Sequence, residues 1–308
     1  SRIFGLIFLI ASALGNLYAV GDVVDKLQRC AALIYAGGAL AAVFAGDMIT
    51  LFIFFEIAAV ASVFLIWARR TQKAFSAGMR YLIVQIGAGV ILLTGLLVHL
   101  SATGSIDFYK IGLHAPGGTL IILAFGIKAA FPLFHNWLQD AYPEATVSGT
   151  VILSGFTTKL AIYALARSYP GTDVLIWIGA IMTAFPIFYA VIENDLRRVL
   201  AYSLNNQLGF MVVGIGIGTE MALNGTISHA FCHILYKALL FMSMGAVLLR
   251  TGTCNGSDLG GLFKTMPWST SFSIIGAASI SGFPLFSGFI SKSMILTAVS
   301  VEGYWGVW

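Results

Sequence analysis

Residues 117–134 read GGTLIILAFGIKAAFPLF, an apolar stretch with a lysine and a proline near its centre. Its length approaches the roughly 20 residues that a membrane helix needs. Lys128 lies too deep for its amine to reach the membrane surface easily. Pro132 removes a backbone hydrogen bond that lipid cannot replace, so the break must face protein or water. The stretch therefore predicts a helical membrane bundle with a polar interior.

Apolar runs of similar length continue along the whole chain. The composition is 58% hydrophobic and 10% charged, whereas a soluble domain carries about 25% charged residues. This excludes a soluble enzyme, and no nucleotide-binding loop follows a strand. We predict an all-α polytopic transmembrane bundle with inverted repeats and two discontinuous helices. Its ten spans lie near 2–20, 29–45, 49–67, 78–100, 117–134, 146–166, 173–192, 199–218, 221–249 and 268–300.

The basic residues of the loops predict the orientation, because alternate loops lie on opposite faces of the membrane. One face holds ten of them: Lys26, Arg29, Arg69, Arg70, Lys73, Arg80, Arg197, Arg198, Arg250 and Lys264. The other holds Arg2, Lys110 and Arg167. By the positive-inside rule we expect a multi-pass protein of the cell inner (plasma) membrane with its Ser1 end outside. The net charge of +4 is an orientation signal and does not indicate nucleic-acid binding.

A short repeat suggests the domain organisation. FPLF occurs at 131–134 and again at 283–286, five spans apart, although FPIF at 185–188 shows that such tetrapeptides recur by chance in Phe-rich helices. We expect one membrane domain over 1–308, with a first inverted repeat at 29–166 and an incomplete second at 173–308. Because apolar sequence reaches both ends, we also expect a fragment of a longer protein. Cys30, Cys232 and Cys254 have no CxxC spacing and are interpreted as small apolar residues.

Five formally charged residues remain in the interior of the spans after the loops are accounted for: Glu56, Lys128, Lys159, Lys237 and Lys292. Lys237 lies 13 residues before Arg250, roughly 20 Å from that helix end. Five unpaired charges at membrane depth would cost on the order of 12 to 17 kcal/mol. They must therefore face each other, the bundle interior or water. We interpret them as functional, and we expect Glu56 and Lys128 to pair.

His229, His233 and Lys237 follow one another at intervals of four residues. This spacing places the three side chains on one face of a helix. A zinc site would need a third protein ligand, which this span does not supply. Structural hydrogen bonding is a second alternative. A proton relay is favoured because histidine titrates near physiological pH.

The sequence resembles the antiporter-like subunits shared by respiratory complex I and the Mrp-type cation/proton antiporters. The resemblance rests on LFIFFE (51–56), GIKAAFPLFHNWLQDAYPEA (126–145), LSGFTTKLAIYAL (153–165), DLRRVLAYS (195–203), HAFCHILYKALLF (229–241) and GFPLFSGFISK (282–292). It implies a subunit of fourteen helices, of which this chain would correspond to the third through the twelfth. It also implies membrane partner subunits and protons exchanged for Na+ or K+ in a lipid bilayer, with no cofactor, metal or catalytic chemistry of its own.

The resemblance further implies a proton path. Glu56 would pair with Lys128, Lys159 would bridge, the His229 to Lys237 face would continue the path, and Lys292 would be the terminal carrier. Pro132 and Pro284 would break their helices beside it. Gln139 departs from the usual proline and Tyr142 from a frequent histidine. The D-type subunits of Mrp antiporters resemble the sequence most, and the alternative is a proton-pumping subunit of complex I, hence of a translocase, or of a membrane hydrogenase.

Overall fold

The structure is a computed structural model, and it describes residues 1–21 and 25–308. Within these ranges the chain forms α-helices and one short 3-10 helix, and no β-strand, as predicted. The α-helices are α1 (Arg2–Ala19), α2 (Lys26–Phe44), α3 (Met48–Trp67), α4 (Gln72–Thr103), α5 (Gly118–Lys128), α6 (Asn136–Glu144), α7 (Val147–Ser168), α8 (Val174–Ile192), α9 (Leu196–Ile217), α10 (Glu220–Thr251), α11 (Leu262–Thr265), α12 (Pro267–Ser281) and α13 (Ser287–Val301).

Seven helices of the described residues are long and apolar enough to cross a membrane: α1, α2, α3, α4, α7, α8 and α10. α5 and α13 are apolar but shorter. Of the ten predicted spans, 117–134 contains α5, 199–218 matches α9, and 268–300 contains α12 and α13. α4 begins at Gln72, six residues earlier than predicted. The helix α6 was not predicted, because NWLQDAYPE is too polar to stand out as an apolar run.

α7 is the central helix of the bundle. It is buried along nearly its whole length, and it packs against α1, α2, α3, α5, α9 and α10. Small and hydroxyl residues allow these close approaches. Gly149, for example, lies against the Leu65 backbone of α3. Lys159, in the middle of α7, is therefore held at the centre of the protein.

The predicted break at Pro132 falls in a non-helical segment between α5 and α6. Ala130, with φ 61°, ends the helical path, and the Phe131 amide donates to the Gly126 carbonyl at 2.9 Å. Phe131–Phe134 then form a type II turn, with proline at its second position and Leu133 at φ 73°. The Phe134 amide closes the turn on the Phe131 carbonyl at 2.9 Å.

The same turn recurs at Pro284, between α12 and α13. Gly282, with φ 78°, occupies the position of Ala130, and Leu285 has φ 76°. The Phe286 amide donates to the Phe283 carbonyl at 3.1 Å. The two FPLF copies therefore share one backbone conformation. That each helix pair forms a single discontinuous membrane helix stays a prediction.

Other features correspond between the halves of the chain. α4 and α10 are each 32 residues long. The side chains of Asp47 and Asp195 cap the first turns of α3 and α9. Their backbones form isolated bridges with Asp107 and Asn255, respectively. An inverted repeat would produce these correspondences. The repeat and its boundaries, 29–166 and 173–308, stay predictions.

Candidate functional site

Glu56 of α3 and Lys128 of α5 form an ion pair, as predicted. The Lys128 Nζ donates to Glu56 Oε1 at 3.1 Å and to the Gln85 carbonyl at 3.3 Å. The Lys128 side chain is 1% exposed and that of Glu56 is 22% exposed. The amine also lies 5.3 Å from the centre of the Phe55 ring. The pair thus offsets the cost of placing a lysine in an apolar bundle.

The Glu56 carboxylate lies between an open groove and a glycine. Its side chain lines an apolar groove between α2 and α3, together with Cys30 and Ile34. On the other side α4 presents Gly89, where a Cβ atom would overlap the carboxylate. A side chain at this position would displace the carboxylate from where it lies against α4.

Lys159 lies at the middle of α7 and is fully buried. Its amine donates to the Ser154 carbonyl of the same helix at 2.6 Å. Its charge acts on His229, His233 and Lys237 of α10. Lys159 therefore interacts electrostatically with the α10 face, without a carboxylate partner among the described residues.

The three predicted α10 residues share one face and are all fully buried. The rings of His229 and His233 lie 6.1 Å apart between centroids. His229 Nδ1 bonds Ser291 Oγ of α13 at 2.9 Å, and the Lys237 amine contacts Ser203 Oγ of α9. Both ring nitrogens of His233 are buried with no hydrogen-bond partner within the described ranges. They can therefore accept or donate a proton.

Lys292 lies on α13 and is half-buried. Its amine donates to the Ile280 carbonyl at 2.6 Å and lies 5.1 Å from the centre of the Phe210 ring. Ile280 precedes Pro284 by four residues, so its carbonyl is the one that the proline deprives of a helical amide. The sequence predicted that backbone freed by a proline in a membrane span faces protein or water. At the second break a lysine amine binds the carbonyl.

Sequence reasoning missed a cluster of buried hydroxyl groups beside this row. The hydroxyls of Tyr35 and Tyr81 bond Thr157 of α7, and the Tyr142 hydroxyl donates to the Leu153 carbonyl one turn earlier on that helix. Of the three tyrosines, only Tyr142 stands out in the sequence, as a departure from a family pattern. A signal was available, because a tyrosine within a membrane span must find a hydrogen-bond partner when it is buried. The sequence alone could not show that three of them converge.

Comparisons with known proteins show the family of the chain. A family model described as NADH:quinone oxidoreductase/Mrp antiporter, TM, matches residues 45–308. The chain is 35% identical to the D subunit of the Na(+)/H(+) antiporter of Alkalihalophilus pseudofirmus, over 84% of this chain and 57% of that protein. It is 32% identical to the N subunit of the NADH-quinone oxidoreductase of Desulforudis audaxviator, over 89% of this chain and 58% of that protein.

A solved structure has the same fold. A chain in the structure of the Mrp complex from Dietzia sp. superposes with a TM-score of 0.89 at 26% identity, covering 99% of this chain. The match covers 62% of that chain. The chain described here thus spans less than two thirds of the length of each of these three proteins.

Proposed function

Because the chain belongs to the NADH:quinone oxidoreductase/Mrp antiporter family, we propose that it conducts protons as part of a multi-subunit monovalent cation/proton antiporter, like the D-type subunit of an Mrp complex. The observation that carries this proposal is the row of buried ionisable groups. It runs from the Glu56–Lys128 pair through Lys159 to the α10 face and Lys292. A bundle held together only by packing has no use for so many charges at membrane depth.

The proposed mechanism is electrostatic coupling between neighbouring groups. Positive charges on Lys159 and on Lys292 each act on all three groups of the α10 face. A proton that arrives at one group raises the cost of a positive charge on the next, because like charges repel strongly in a medium of low dielectric constant. Each arrival therefore drives the neighbouring proton onward. The histidines can pass a proton between the lysines.

A second candidate is a redox-driven proton pump of the complex I type. The similarity to the N subunit of NADH-quinone oxidoreductase supports it. The family resemblance implies that one of the complex I subunits carries a glutamate at the position of Lys292. The lysine found here argues against that subunit. The identity to the D subunit of the Na(+)/H(+) antiporter, at 35%, favours the antiporter.

The proposal includes the surroundings of the chain. The protein would lie in the cell inner (plasma) membrane, with the Ser1 end outside and the face rich in Lys and Arg in the cytoplasm. Other membrane subunits would surround it, and protons would be exchanged for Na+ or K+. Its partners would supply the cation route, since Glu56 is the only carboxylate in the interior of a predicted span, Asp173 being the first residue of its span.

The test uses the whole complex, purified from its native membrane and reconstituted into proteoliposomes that contain a pH-sensitive dye. An antiporter moves protons when Na+ or K+ is added. A redox-driven pump moves them only when an electron donor and quinone are supplied. Lys128→Ala should remove the cation-driven flux, and Lys73→Ala, at an exposed position at the start of α4, should retain it. Flux that requires an electron donor would overturn the antiporter assignment.

A further inference from the structure

The ion pair and the central lysine are not in direct contact. In the described part of the chain, the Lys128 amine bonds Glu56 and Gln85, whereas the Lys159 amine bonds Ser154. The charge of Lys159 acts on the α10 side. A proton moving between the two halves of the row therefore needs intermediate groups.

A cluster of hydroxyl groups lies in this region, and we name its members Ser62, Tyr81, Thr157, Tyr35 and Tyr142 the hydroxyl cluster. Ser62 Oγ lies 2.7 Å from the Tyr81 hydroxyl, which lies 3.3 Å from Thr157 Oγ1. The Tyr35 hydroxyl bonds the same Thr157 Oγ1 and accepts from the Thr157 amide at 2.8 Å. All five side chains are buried, and they come from α3, α4, α7, α2 and α6.

One end of the hydroxyl cluster meets the ion pair. Tyr81 and Gln85 are one turn apart on the same face of α4, and the Gln85 carbonyl accepts the Lys128 amine. Glu56 lies close enough to Tyr81 for the carboxylate charge to act on the phenol group. Tyr81 therefore lies one helical turn from the residue whose carbonyl binds Lys128.

The other end lies on α7, in the same part of the helix as the carbonyl that binds Lys159. The Tyr142 hydroxyl donates to the Leu153 carbonyl of α7 at 3.0 Å, and Leu153 lies one turn before Thr157 on the same face of α7. The Lys159 amine binds the next carbonyl along the same helix, that of Ser154. Tyr142 and Lys159 thus occupy successive carbonyls of one helical turn.

We propose that the hydroxyl cluster is a proton relay that joins the Glu56–Lys128 pair to Lys159. A hydroxyl group both donates and accepts, so a connected run of hydroxyls can carry its protons in either direction. Each oxygen receives a proton from one neighbour as it passes its own to the next, and no net charge stays on the cluster. This inference rests on the proposed function. It gives Tyr142 the role of the histidine that the family resemblance implies at this position.

Thr157 gives the sharpest test, because two substitutions separate its hydroxyl from its packing. Thr157→Val keeps the shape and removes the hydroxyl, whereas Thr157→Ser keeps the hydroxyl and loses a methyl group. The relay predicts that proton flux in proteoliposomes with the assembled complex falls at least about tenfold in Thr157→Val and Tyr81→Phe. Thr157→Ser should retain most of the flux.

Tyr169→Phe is the matched control. Tyr169 is fully buried, and its hydroxyl donates to the Gly118 carbonyl at 2.7 Å, outside the row. The Tyr169→Phe complex should be less stable than the wild type and should keep its proton flux. At the end of the relay, Tyr142→His should keep flux that Tyr142→Phe loses, since imidazole also exchanges protons.

Two results would overturn the relay while leaving the proposed function intact. One is full flux in Thr157→Val under conditions in which Lys159→Ala has none. The other is an equal loss in Thr157→Ser and Thr157→Val, which would identify a packing role. A wild-type complex that moves no protons would instead contradict the proposed function itself.

Discussion

Replacing Gly89 by alanine should disrupt the Glu56–Lys128 pair without removing any titratable group. The added Cβ would overlap the Glu56 carboxylate, which is the mobile end of a side chain bordering an open groove. The carboxylate can therefore retreat, and the helices need not separate. Gly87→Ala on the same helix is the matched control, because nothing lies within 4 Å of its Cβ position. Both changes carry the same intrinsic gain of about 1 kcal/mol in helix propensity.

The expected effect follows from the geometry of the pair. Ordinary contact requires the carboxylate to withdraw by about 1 Å, which lengthens the 3.1 Å nitrogen–oxygen distance. At an effective dielectric constant of about 20, the Coulomb attraction then weakens by about 1 kcal/mol. Complete loss of a charge-assisted hydrogen bond costs about 1.5 to 3 kcal/mol. Because Glu56 is 22% exposed, we expect the loss of free energy to lie near the lower end of this range. That loss corresponds to a roughly tenfold drop in the population in which the pair is formed.

The assay is cation-driven proton flux in everted vesicles, normalised to the amount of assembled complex. Gly89→Ala should lower the flux by about tenfold if transfer requires the direct contact, and Gly87→Ala should match the wild type. Glu56→Gln sets the value for complete loss of the acceptor. Equal flux in the two glycine variants would refute the reasoning that the contact between Glu56 and Lys128 matters for transport.

Two further predictions concern stability, measured as the thermal unfolding midpoint of the purified complex. Ala130→Gly should raise the midpoint, because a φ of 61° strains alanine by about 1 kcal/mol. Gly282→Ala should lower the midpoint, because the φ at this position is 78°. The opposite pair of shifts would contradict the equivalence of the two turns. Arg197→Ala should destabilise the protein by about 2 kcal/mol, because the guanidinium is buried and donates to the Ala145 carbonyl at 3.0 Å while also contacting Thr150. Arg197→Lys should not restore both contacts, and an unchanged midpoint in Arg197→Ala would show that the junction of α6 and α7 does not depend on it.

The membrane fold and the ion pair were predictable because each follows from a single strong energetic term. Long apolar runs are typical of membrane-crossing helices, and Glu56 and Lys128 must meet because neither charge is tolerated alone. The shared face of His229, His233 and Lys237 follows from helical periodicity. Each of these inferences requires only the sequence of one helix, or one pair of opposite charges.

The contacts that were missed depend on several chain segments at once. Lys292 reaches the Ile280 carbonyl only because the turn at Pro284 places α13 beside the end of α12. The hydroxyl cluster needs five helices to bring their side chains together, and a tyrosine in an apolar run gives no sign of its neighbours. Sequence patterns that describe one helix at a time cannot give such convergence.

Proton flux through a complex that carries Lys159→Ala tests the central claim most directly. Lys159 is fully buried at the middle of α7, between the ion pair and the α10 face. If protons follow the central row, alanine abolishes cation-driven proton flux in proteoliposomes while the complex still assembles. Histidine, which also gains and loses a proton, should retain part of the flux. Full flux in the assembled Lys159→Ala complex would show that protons bypass this lysine, and it would contradict a path along the central row.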